Sequence, residues 1–74
     1  MRIRTVQWCE SKIIGALSRG PITTELAMSA IVLRNVETLD EQHNLDIAIE
    51  NLIVQKQIVR DKDKDGFTVY KMVA

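Results

Sequence analysis

Between Leu45 and Leu52 the apolar residues Leu45, Ala48, Ile49 and Leu52 keep the i, i+3, i+4, i+7 spacing of a helix with one buried face. Past Lys56-Gln57 the rhythm changes. Ile58 and Val59 open a strand-like run, and Phe67 to Val73 form a second one. Asn44 to Met72 therefore predicts an amphipathic helix leading directly into a charged β-hairpin. Asp61 to Gly66 must reverse the chain, with Asp65-Gly66 as the tight-turn pair, because glycine tolerates positive φ and aspartate bonds its own backbone.

Upstream, Thr5 is a predicted N-cap for a helix from Val6 to Ser18, on which Val6, Cys9, Ile13, Ala16 and Leu17 converge. Arg19-Gly20-Pro21 stops it. Trp8 falls nearly opposite that face, beside Lys12 and Gly15, so its indole is either covered by another part of the chain or offered to another molecule. Ile22 predicts a short extended piece. Thr23 then caps a second helix from Thr24 to Arg34, which is apolar around much of its circumference and hence expected to be mostly covered. Asn35 reads as its terminator and Val36 to Leu39 as a connection carrying Glu37; Asp40 begins the third helix, with Glu41 in its first turn. Residues 1–5, with Arg2, Ile3 and Arg4, are an N-terminal arm or edge strand, and 6–74 form one domain.

Composition narrows the reading. Seventy-four residues build a single core, and a chain this short buries only about 60% of its unfolded surface, a reason to expect self-association. Ten basic and ten acidic residues cancel, so a polyanion site has to be a local patch. Cys9, the one cysteine, suits a small core residue in a reducing compartment. There is no long apolar run and no charged-then-apolar leader, so a soluble, unprocessed, cytoplasmic chain with no membrane contact is expected. His43 is the one histidine and the three glycines stand singly. Neither an enzyme, nor a cofactor, nor a metal, nor a small-molecule ligand is expected. Asp61-x-Asp63-x-Asp65-Gly66 imitates the start of a calcium loop, but the twelfth position is Met72 where a bidentate Glu is required.

The order helix, extended piece, helix, helix, hairpin resembles a winged helix-turn-helix domain, an α+β fold of three helices with a C-terminal β-hairpin wing. The residues that carry the resemblance are RGPITTELA at Arg19 to Ala27 and AIENLIVQKQIVRDKDKDGFTVYKM at Ala48 to Met72. The link between the second and third helices is longer than the tight turn usual in that family. The resemblance implies a DNA-binding transcriptional regulator acting by docking, its third helix in the major groove of double-stranded DNA and its wing on the adjacent backbone.

On that reading Arg60, Lys62 and Lys64 contact phosphates from the wing, Arg19 and Arg34 reach the flanking backbone, and His43, Asn44 and Asn51 probe base edges. Strand alternation would project the two lysines together with Arg60. The same residues also fit a charge-rich turn that keeps a hairpin edge soluble. The outer face of the third helix carries Asp40, His43, Ile47, Glu50, Asn51 and Val54, without Lys or Arg, which suits an ordinary solvated surface at least as well as a groove reader. An alternative follows: a protein-interaction or homodimerisation module binding through Trp8, Ile47 and Val54.

Overall fold

The computed structural model describes residues 4–34 and 38–73. The expectations for Arg2, Ile3, Asn35, Val36 and Glu37 fall outside these. Three helices, α1 (Val6–Leu17), α2 (Glu25–Leu33) and α3 (Leu39–Val54), pack with three strands, β1 (Ile22–Thr23), β2 (Ile58–Lys62) and β3 (Thr68–Met72). The sheet is antiparallel in the order β1-β3-β2, with Ile22 opposite Tyr70 and Arg60 opposite the same tyrosine from the other side. This is a small α+β domain with a Cα radius of gyration of 11.8 Å.

Each helix starts on a threonine. Thr5 Oγ1 accepts the Trp8 N–H at 3.1 Å, Thr24 Oγ1 that of Ala27 at 3.1 Å, and Thr38 Oγ1 that of Glu41 at 3.2 Å. Each satisfies one of the orphan donors of a first turn, worth about 1 kcal/mol. Two starts differ from expectation. Thr23 is occupied by pairing with Val69, so Thr24 takes the cap, its φ at 75° and its N–H donating to the Thr68 carbonyl at 2.7 Å. Thr38 supplies a hydroxyl one turn before Glu41, so α3 begins at Leu39, one residue before Asp40.

The switch of rhythm after residue 55 has a specific cause. Lys56 N–H donates to the Ile53 carbonyl and Gln57 N–H to that of Leu52, the paired bonds of a Schellman ending, with Lys56 at φ 61° where glycine is the usual occupant. The chain thus leaves α3 at a sharp angle, and Ile58 starts β2 fully buried. At the tip, Gly66 N–H returns to the Asp63 carbonyl, so Lys64-Asp65 are the central residues of the turn. Gly66, at φ 86°, follows in the left-handed position of a three-residue loop, rather than pairing with Asp65 at the centre. The Asp63 carboxylate accepts the N–H groups of Asp65 and Phe67, both at 2.9 Å. Of the calcium-loop imitation, that carboxylate is bound to its own turn.

Cys9, Ile13 and Leu17 of α1, Met28, Val32 and Leu33 of α2, and Leu45, Ala48, Ile49 and Leu52 of α3 meet Ile22, Ile58 and Tyr70 of the sheet in one core. Burying each large aliphatic chain contributes about 1.5–3 kcal/mol. Ile58→Ala, at the joint of α3 and the sheet, would cost about 2–5 kcal/mol. α2 is less covered than its composition suggests. Leu26 is 81% and Ile31 50% exposed, because a nine-residue helix buries only one stripe against its neighbours. No described helix is long and apolar enough to cross a membrane.

Candidate binding surfaces

One surface lies between the C-terminal half of α3 and β2. Ile53 of α3, Ile58 and Val59 of β2, and Val73 line a cleft of about 540 Å³, with Glu50, Lys56 and Arg60 as its polar wall. Val54, the residue after Ile53, is 78% exposed. Arg60 stands on the same face of β2 as Ile58, and its guanidinium reaches two partners. It donates to the Glu50 carboxylate of α3 and lies 5.8 Å from the centre of the Tyr70 ring. Of the expected strip, Arg60 and Lys62 stand on the same face of β2, and Lys64 lies beyond the strand. Arg60 is turned toward α3, Lys62 ends β2, and Lys64 sits in the turn, where strand alternation no longer applies.

The outer face of α3 is mixed. His43 is exposed, whereas Ile47 and Asn51 are half-buried, so Ile47 and Val54 do not make one open apolar strip. Asn44 is not available to a base edge. Its Nδ2 donates to the Arg4 carbonyl at 2.8 Å, because position 44 lies next to the buried Leu45 and Glu41 stripe rather than on the outer face.

The second surface is a cleft of about 770 Å³ between α1, the end of α2 and the start of α3. Trp8, Lys12, Gly15 and Arg19 come from one stripe of α1 and the turn after it, and Ile31 and Arg34 from the end of α2. The Lys12 ammonium and the Arg4 guanidinium each lie 5.4 Å from the centre of the Trp8 ring. Arg4 is also the clasp of the fold. Its Nε donates to Glu41 Oε2 at 2.7 Å, its NH2 group to Oε1 at 3.1 Å and its NH1 group to the Leu33 carbonyl at 2.5 Å, tying the start of α1 to α2 and α3. Glu41 is 2% exposed, and a carboxylate that buried persists only with such partners.

Arg19 and Arg34, expected to reach the flanking DNA backbone, both line this cleft. Trp8 belongs here too. Glu41, on the same cleft, is 13 residues from Val54, roughly 20 Å along α3, so Trp8 and Val54 do not share a surface. Sequence reasoning missed Arg4 and Lys12. Lys12 was signalled by its place one turn after Trp8. Arg4 was not, since nothing local announces a partner 37 positions away.

Two buried acids accompany these surfaces. Burial pushes the Cys9 thiol above its ordinary 9.0, against the opposing pull of Arg4. Burial likewise pushes the Tyr70 phenol above 10.0, reinforced by the Glu25 carboxylate that its hydroxyl meets at 3.3 Å. Neither is a nucleophile at neutral pH. Among the described residues no three His, Cys, Asp or Glu side chains group as metal ligands. Comparison of the chain with protein families, with curated proteins and with solved structures finds no match in any of the three.

Proposed function

We propose that the chain is a docking module of winged-helix type, working without catalysis, whose angle between α3 and the hairpin binds a second copy of itself. The helix-strand-helix-helix-strand-strand order, with β1 and β2 flanking β3, supports the winged-helix reading. One observation carries the choice of a protein over DNA for that angle. Where a groove reader needs several free cations, most of the described wall is Ile53, Ile58, Val59 and Val73; the Arg60 guanidinium is already bound to Glu50, which leaves Lys56 as the remaining cation. An apolar cleft beside an exposed Val54, on a chain too short for a large core, fits a homodimer contact.

Light scattering tests it. The wild-type chain should dimerise and a Val54→Asp, Val59→Asp double variant, both positions being exposed, should be a folded monomer. An unchanged mass in the folded variant rejects the contact.

A second reading keeps the transcriptional regulator. Lys62 and Lys64 are exposed and without a carboxylate partner among the described residues, which favours phosphate contact from the hairpin tip, with His43 and Asn51 toward the bases. On this reading Lys62→Ala with Lys64→Ala lowers the logarithmic salt slope of duplex binding by about 1.8, at roughly 0.9 per phosphate.

A further inference from the structure

The cleft between α1 and α2 lies outside both the dimer contact and the hairpin-tip contacts, although the regulator reading expected two of its residues, Arg19 and Arg34, to reach DNA backbone. Lys12, Arg19 and Arg34 border it, and none of the three has an ion pair among the described residues. Among the described residues the one carboxylate in its lining, Glu41, is already bound by Arg4. The cleft is therefore a local excess of positive charge on a protein with no net charge. Lys12 stands on α1 and Arg19 in the turn after it, seven residues on and roughly 10 Å away by the rise of a helix. Between them Gly15 presents bare backbone, and a Cβ built there would meet nothing within 4 Å. Arg34 closes the opposite wall from the end of α2.

We infer that this cleft binds the phosphate backbone of a nucleic acid, independently of the angle between α3 and the hairpin. Three observations select that ligand. A strand presents one charge per roughly 3.4 Å, so cations 10 Å apart find phosphates in any register, whereas an acidic peptide must match their spacing. The glycine leaves room for a bulky sugar-phosphate chain against the helix. The cleft also holds no Asn or Gln among its described lining residues, the side chains that pair with adenine. Trp8 is half-buried with two cations at its ring, and among the described residues Ser11 is the one small polar side chain in the lining. Binding is thus predicted to be independent of base sequence, since phosphate contacts position a ligand and base contacts specify it.

The test uses the whole chain, a short labelled duplex and fluorescence anisotropy over a salt series, with emission of the one tryptophan, Trp8, as an internal report of cleft occupancy. Three neutralised phosphates predict a logarithmic salt slope of about 2.7, equivalent to about 40-fold weaker binding between roughly 50 and 200 mM salt. Arg19→Ala with Arg34→Ala, both exposed and outside the core, should leave the fold intact and reduce the slope to about 0.9. Lys62→Ala with Lys64→Ala and Val54→Asp with Val59→Asp should leave both slope and Trp8 response unchanged, so failure of the cleft and failure of the dimer contact are separable. Two duplexes of unrelated sequence should bind within about twofold of each other. An unchanged slope in the arginine variant, loss of binding in the lysine variant, or equal competition by polyglutamate would each overturn the assignment.

Discussion

α3 is held by an arginine at each end, and the two pairs do different things. Near its start, Arg4 bonds to a Glu41 carboxylate that solvent scarcely reaches; near its end, Arg60 bonds to Glu50 with side chains 38% and 59% exposed. The chemistry is the same. Water makes the difference, because a buried charge that loses its partner keeps the full desolvation cost, while an exposed one is taken up by solvent. The first pair is a condition of folding. The second sets the wall of a surface.

The largest effect should therefore come from Arg4→Ala, which takes the guanidinium from the buried Glu41 carboxylate and leaves it the N–H of residue 4, at 3.2 Å in the wild-type chain; it is expected to cost about 3 kcal/mol, a large part of the stability of a domain of this size. Urea titration reads it directly. Restoring neutrality with Arg4→Leu and Glu41→Leu together should recover at least half, and a single variant that costs under about 1 kcal/mol would erase the distinction between the two pairs.

Alkali should act next, through the weak acid beside each pair. Cys9 and Tyr70 have folded pKa values raised above 9.0 and 10.0, so the folded state holds both protons more tightly than the unfolded one. Their contribution is complete below pH 9 and declines as pH rises past 9 and then 10, until the folded groups themselves ionise. Urea midpoints from about pH 8 to 11 should fall, less steeply above 10 in Tyr70→Phe.

Smaller effects sharpen the second end. Lys56→Gly, placing glycine at φ 61°, should raise stability by about 0.5–1 kcal/mol. Arg60→Ala should cost no more than about 1 kcal/mol, with the ion-pair part of that loss fading in high salt. If it matched Arg4→Ala, exposure would not be what separates the two.

Much of the framework was legible. The apolar spacing of Leu45 to Leu52 and the change at Ile58 define α3 and the hairpin, and the cap at Thr5 and the strand at Ile22 follow from local chemistry. Long-range competition was not legible. Thr23 lost its cap role to a strand partner 46 positions on, and Asn44 lost its outward role to the Arg4 carbonyl. The surroundings of the candidate site residues were less legible than the fold for the same reason. Periodicity places a side chain on a face, but Arg60 and Trp8 depend on which element that face meets.

The lone sulfur gives this fold a built-in stopwatch. Cys9 has no exposed surface and sits under the Arg4 clasp, so an alkylating reagent can reach it only when α1 lifts away from α3. The rate of its modification then counts openings of α1 from α3, local or global, without any engineered probe. A reagent that labelled it as fast as a free thiol would show α1 to be detached for much of the time.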